Sequence, residues 1–320
     1  MTDRRNRILN GLDIETMEGV EIGALCWPIV RKDEGPITYV DCIDTPSLQK
    51  KYAAKPLVLP ELMVDVDVAL DGKTLAEAFV PARQFDYVLA SHVVQHVPDL
   101  IGWLGELVPI LKENGTIRLV VPDRRFTFDH CRRNTQLSDV MAAFVIEAKV
   151  PQPQQILDFL TNFRELTASD GWASRHPAEN SRLSPENSAK WISKAIEATA
   201  GVHHDVHCWA FTPESFAILF YEMALARLHS FECHFFYDTL PDDYEFIVAL
   251  KYNTDLTRIL ESWQAMAKAV TGEGSSSVLL KANGDLKDRA SPELKEKIAI
   301  LSSQLDLATN ELARRKAPKD

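Results

Sequence analysis

Phe85-Asp86-Tyr87-Val88-Leu89-Ala90-Ser91-His92-Val93-Val94-Gln95-His96-Val97-Pro98-Asp99 leads, through a stretch with apolar residues at helical spacing, into Leu111-Lys112-Glu113-Asn114-Gly115-Thr116-Ile117. Phe85–Ala90 is a short, nearly continuous apolar run, the pattern of a strand covered on both faces. Val93–Leu111 repeats its apolar residues with helical period, and Glu113-Asn114-Gly115 is a turn signal. Thr116–Val121 (TIRLVV) is a second β-rich run. Strand, helix, turn and strand in this order make one unit of a parallel sheet.

The same alternation extends upstream. Val20–Gly23, Ile37–Ile43 and Leu62–Val68 are short apolar or alternating runs separated by polar segments. Downstream the pattern changes: from about 135 to 200 no strand is evident. Val140–Ala148, Gln154–Leu166 and Ser188–Ala198 have helical spacing, and the stretch is too long for a simple connection. It is expected to form a helical cap inserted at about 131–210. Thr212-Pro213-Glu214-Ser215 then reads as a helix start, with Thr as the cap and Pro in the first turn, and the helix should run to about Ala226. Ser230–Tyr237 and Tyr244–Lys251, joined only by Leu240-Pro241-Asp242-Asp243, are too close for a helical crossover and should pair antiparallel. The expectation is an α/β fold: a Rossmann-like, seven-stranded, mostly parallel sheet with the last strand antiparallel, a helical cap insertion and a C-terminal helix. The main domain spans 1–252. A helix and a Gly/Ser-rich linker occupy 253–289. In 290–316, Leu294, Ile298, Leu301, Leu305, Ala308 and Leu312 form a heptad seam, either a coiled coil or an amphipathic helix docked on its own domain.

A chain of 320 residues, 46% hydrophobic, can bury a large core. Its net charge of −11 and pI near 5.4 argue against a nucleic-acid partner. The five cysteines are scattered without a C-x-x-C pair, which suits a reducing compartment and no disulfide framework. No apolar run approaches membrane-spanning length and the first residues lack an apolar signal core. A cytoplasmic location is expected.

Chemistry-bearing residues fall at the expected strand ends. Gly23 permits close approach of the backbone to a ligand after the first strand. Only one glycine stands there, so a dinucleotide-type G-x-G-x-x-G loop is excluded. Asp41 ends the second strand, about 20 residues on, where a carboxylate can accept both ribose hydroxyls of a nucleoside-containing cofactor; Asp44 is the fallback. Asp65 and Asp67 are acids of the third strand. His92 stands at the carboxyl end of the fourth strand, where open α/β sheets bind ligands, and His suits a general base. His96 lies one helical turn further. After the fifth strand, Asp123 is followed by Arg124 and Arg125, either an anion-binding pair or a solvated basic turn. His203-His204-Asp205-Val206-His207-Cys208-Trp209 is an unusually dense cluster. It could be a metal site, a substrate-facing rim with a catalytic His207, or a structural hydrogen-bonded group; no metal is assigned.

Together, Phe85–Asp99, the following helix and Leu111–Asp123 resemble the motif run of class I S-adenosylmethionine-dependent methyltransferases, in the form FDxVxxSHVxxHVPD, helix, LKxxGxxxxxVPD. The likeness covers about 18–130 and continues more loosely to 252. That family carries E-x-G-x-G-x-G in its first strand and turn; here Glu21 and Gly23 are kept and Trp27-Pro28 replaces further glycines. The resemblance implies S-adenosyl-L-methionine as cofactor. It places Glu21, Gly23 and Ala24 near the methionine moiety, Asp41 at the ribose, Asp67 near the adenine, and Ser91 and His92 at the reaction centre. Asp205–Phe216 is similar to the D-V-H-x-W-x-F-T-P-E-S-F stretch of bacterial methyltransferases encoded with polysaccharide-biosynthesis enzymes, which suggests a glycan or other small-molecule acceptor, O-methylated, and His207 as a second catalytic residue. Two other readings compete: a non-catalytic binding or scaffold protein that oligomerises through the C-terminal helix, and a metal-assisted hydrolase or epimerase.

Overall fold

The computed structural model describes residues 2–270 apart from 54, 56–57, 80–81 and 176–181. The linker and the heptad seam lie outside the described residues. In chain order the elements are α1 (Thr2–Ile8), β1 (Gly19–Ile22), β2 (Ile37–Asp41), α2 (Thr45–Tyr52), β3 (Val68–Ala69), α3 (Leu75–Ala78), β4 (Phe85–Ser91), α4 (Leu100–Leu107) and β5 (Leu111–Pro122). The cap helices α5 (Leu137–Val145), α6 (Pro153–Asn162), α7 (Ala168–Trp172) and α8 (Pro185–Thr199) follow. Then come α9 (Pro213–Leu225), β6 (Phe231–Tyr237), β7 (Glu245–Tyr252) and α10 (Leu256–Val270).

The seven strands form one sheet in the order β3-β2-β1-β4-β5-β7-β6. β1 to β5 are mutually parallel, and β7 runs antiparallel between β5 and β6. The order reverses between β1 and β4, so the turns after these two strands open a crevice at the carboxyl edge, where open α/β sheets bind ligands. Alternate residues of each strand feed two cores. One face, with Val88, Ala90, Leu119, Val121 and Val248, packs against α4, α9 and α10, and contains the fully buried Phe216, Phe220 and Trp263. The other, with Tyr39, Tyr87, Leu89, Val120 and Ile247, is covered by Ile8 of α1 and the connection from β1 to β2.

Local differences from the sequence pattern have local causes. The stretch expected to be one helix, Val93–Leu111, is split. Pro98 disfavours helical backbone at Val97, so Val94–His96 forms a 3-10 turn and α4 starts afresh after Asp99, whose carboxylate accepts the Gly102 N–H. Leu111 belongs to β5, paired with Phe85. The third strand is only Val68–Ala69, and Leu62 ends a separate 3-10 turn. Thr212 caps α9 as expected, accepting from the Ser215 N–H, and the helix ends against Ala226.

Candidate active site

The turn after β1 is shaped from beneath by Glu21. Its carboxylate is buried (1% exposed) and accepts the N–H groups of Ile29 at 2.8 Å and Val30 at 3.2 Å. Burial pushes this carboxyl up to about 7 against the lowering effect of those amides. Gly23 has φ +70°, and a Cβ there would meet Val93 Cγ2 at 3.0 Å. Leu25 also lies in the left-handed region, at φ +47°. This is the second glycine position of the family pattern. Its side chain packs with Cys26, Leu48 and Met63, so apolar contact holds a backbone that a glycine would adopt freely. Trp27 is 62% exposed. Ala24 is buried toward α1.

Asp41 ends β2. One oxygen accepts the Cys42 N–H at 2.7 Å, and burial raises its carboxyl above the usual range. Asp44 is consumed as the cap of α2, accepting the Ser47 N–H. Asp67 is likewise engaged: one oxygen accepts the Tyr39 N–H at 2.8 Å and the other pairs with Lys32. It braces β2 from the start of β3. The acid in the turn after β3 is Asp71, at φ +48° beside Gly72, with its N–H on the Cys42 carbonyl. The sequence reading passed over it, although Asp-Gly is itself a turn signal.

At the end of β4 the Ser91 hydroxyl accepts from Arg4 Nη2 at 3.2 Å. His92 follows at φ +53°. Extended backbone would send its ring to the face opposite Ser91; the left-handed turn brings it round to Glu245, with Nε2 2.8 Å from Oε2. Strained non-glycine backbone of this kind concentrates at functional sites. Glu245 also pairs with Arg4, Nη2 to Oε2 at 3.0 Å, and its carboxyl lies well below the usual range, at about 2, held there against burial by His92 and Arg4. Arg4 and Glu245 were not foreseen from sequence.

His207 is 8% exposed and places Nδ1 at 2.5 Å from Asp129 Oδ2. Arg132 binds the other Asp129 oxygen at 3.1 Å. The rings of Phe128 and Phe159 lie 4.8 and 5.7 Å from the His207 ring, and that of His96 4.7 Å away. Burial and neighbouring His207 hold His96 below its ordinary pKa. Asp205 pairs with Lys55 at 3.3 Å, tying the cap to the end of α2. The structure therefore gathers Gly23, Asp41, Ser91 and His92 along the edge, with His207 on the cap side. Asp123 and the basic turn are committed internally: Asp123 holds Arg125 and the Thr239 hydroxyl, and Arg124 reaches Asn134 and the His130 carbonyl. Among the described residues no group of three His, Cys, Asp or Glu could hold a metal ion. None of their helices is long and apolar enough to cross a membrane.

The features a nucleoside sulfonium needs are present: a backbone cradle at Gly23 that a Cβ would fill, and a strand-end carboxylate at Asp41. A methyltransferase-domain family matches residues 10–224. A ubiquinone biosynthesis O-methyltransferase of Rhodopseudomonas palustris is 29% identical over 126 residues, which are 39% of this chain and 46% of that protein. The chain thus spans about half the length of that relative. Among solved structures, a putative Zn-dependent alcohol dehydrogenase from Rhodobacter sphaeroides has 13% identity and a TM-score of 0.44, covering 79% of this chain and 91% of its own. The DhpI–SAH complex has 12% identity and a TM-score of 0.38, covering 79% and 84%. Likeness at that level adds nothing to the assignment, which rests on the family match over more than half the chain and agrees with the strand order. The chain belongs to the methyltransferase-domain family.

Proposed function

We propose that the protein methylates a hydroxyl oxygen of a small-molecule acceptor, saccharides included, with His92 as general base. The carrying observation is His92 itself: it sits at the switch point of the sheet, in a left-handed turn, with one ring nitrogen fixed by a carboxylate and the ring 30% exposed. Bound at the crevice, S-adenosylmethionine supplies an electrophilic methyl group, whose bond to sulfur breaks with its electron pair returning to sulfur. Gly23 and Ala24 line the cradle that Glu21 holds in shape through the Ile29 and Val30 amides. Asp41 would receive the ribose hydroxyls, and Asp71, in the turn after β3, would take the place of Asp67 near the adenine. Ser91 orients Arg4 at the edge. His92 takes the acceptor hydroxyl proton as the oxygen forms its bond to the methyl carbon. His207, its Nδ1 given to Asp129, presents Nε2 to an acceptor resting against Phe128 and Phe159. The relative from Rhodopseudomonas palustris, by its name an O-methyltransferase, supports oxygen as the nucleophile.

Calorimetry with S-adenosylhomocysteine and turnover with a panel of phenolic and saccharide hydroxyl acceptors test this together. Wild type should bind the product analogue. His92→Ala should bind it within about twofold yet lose roughly 10²–10⁴ in turnover, the contribution of a positioned base. Unchanged turnover removes His92 from the role. A binding protein that has retired the fold is the second reading, favoured by Leu25 and Trp27 standing in glycine positions; absence of binding at millimolar ligand would establish it.

A further inference from the structure

Glu245, the first residue of β7, is 2% exposed yet lies at the sheet edge between two partners from distant parts of the chain. Arg4 of α1 grips it with a guanidinium fork, Nε on Oε1 and Nη2 on Oε2 at 3.0 Å. His92 Nε2 meets Oε2 at 2.8 Å. Around the rest of His92, Val120 accepts its backbone N–H, the Tyr244 ring stands 5.8 Å away, tilted by 39°, and the His96 imidazole lies close enough to interact with it electrostatically. Among the described residues the Nδ1 atom has no hydrogen-bond partner. α1 itself is tied across the edge at three points, through Arg4, through Arg5 Nε on the Ile29 carbonyl at 2.8 Å, and through Arg7 to Asp243 at 3.6 Å.

We propose that Glu245 and Arg4 are positioning residues for methyl transfer: Glu245 fixes His92 as its Nε2–H tautomer, leaving Nδ1 as the proton acceptor, and Arg4 keeps the ring neutral. The inference rests on the reading of His92 as base. A buried carboxylate facing only an imidazole gains most by drawing a second proton onto the ring, because an uncompensated buried charge is costly. An imidazolium cannot accept a proton. With the Arg4 fork supplying the positive charge, the carboxylate needs only an N–H donor from His92. The acceptor hydroxyl proton then passes to Nδ1. The resulting imidazolium keeps its Nε2–H on Glu245 and releases the Nδ1 proton to water. The N-terminal helix is on this account part of the active site.

The test is long-range ¹⁵N–¹H correlation spectroscopy of the full chain labelled in histidine, at pH 7 and without cofactor, with His92 identified by the signal lost in His92→Gln. Wild type should show His92 protonated at Nε2 and bare at Nδ1. Glu245→Gln should give both tautomers, and Arg4→Gln should shift His92 toward the doubly protonated ring; Arg4→Lys, which keeps the charge, should restore the neutral ring. A wild-type His92 protonated at Nδ1, or an unchanged tautomer in Glu245→Gln, overturns the proposal. If Glu245→Gln does not fold, the wild-type spectrum and the Arg4 pair still decide. Binding of S-adenosylhomocysteine to wild type is measured alongside. Normal binding with the wrong tautomer defeats the positioning role alone, whereas no binding defeats the functional reading beneath it.

Discussion

Leu25 shows how one residue can stand in for a glycine. Left-handed backbone costs an L-residue roughly 1–2 kcal/mol, and its contacts with Leu48 and Met63 offset that cost. Gly23 has no such compensation: at φ +70° with Val93 Cγ2 3.0 Å from a would-be Cβ, an added methyl both strains the backbone and pushes on the residue next to His92. Gly23→Ala should lower unfolding free energy by about 1–2 kcal/mol, read by urea denaturation, and should also weaken binding of S-adenosylhomocysteine. A variant as stable and as tight-binding as wild type would remove the cradle from the argument. Asp41→Ala should weaken the same ligand by about 1–3 kcal/mol, the loss of a charge-assisted hydrogen bond; an unchanged Kd would mean that the ribose is held elsewhere. Gly23, Asp41 and His92 were legible because each is a distinctive residue type at a predicted strand end. Glu245 and Arg4 were not, since their contact bridges 241 positions and a single acid at the start of an apolar strand has no local signature.

Elements were readable where a local rule fixes them. Thr212-Pro213-Glu214-Ser215 specifies a helix start by side-chain chemistry alone, and α9 begins there with reciprocal bonds between Thr212 and Ser215. Thr212→Ala should cost about 0.5–2 kcal/mol, seen as a lowered Tm, while Thr212→Ser should be close to neutral; equal losses in both would point to packing of the Thr methyl instead of the cap. The antiparallel β6–β7 pair followed from a short connection, which permits nothing else. Elements set by tertiary contacts were missed. α1 lies in the polar run Thr2–Ile8, and its position comes from burial of Ile8 and the arginine ties across the edge. β3 shrinks to two residues because its expected length is spent on a 3-10 turn and on Asp67, whose side chain bonds β2.

At the scale of the whole molecule, alternation of apolar runs with helical segments was enough to give the parallel sheet, but not how deeply its two faces are sealed. That sealing sets the electrostatics of two carboxylates on the α1 side. Glu245, held at about 2 by His92 and Arg4, contributes stability above the ordinary carboxylate range and loses it as pH falls from about 4.5 to 2. Glu21 has the opposite sign. Buried between the sheet and the turn after β1, it is raised from 4.5 to about 7, so the folded chain binds a proton that the unfolded chain has released across this interval. The contribution of Glu21 to stability should therefore fall as pH rises from about 4.5 to 7, at up to about 1.4 kcal/mol per pH unit. Glu21→Gln cannot ionise, so the difference in unfolding free energy between wild type and this variant should shift against wild type over that window and level off above it. Urea melts of both proteins at pH 5, 6, 7 and 8 measure the difference directly. A constant difference would mean that the Ile29 and Val30 amides fully balance the burial of Glu21, and that the cradle is held by an ordinary ionised carboxylate at every pH tested.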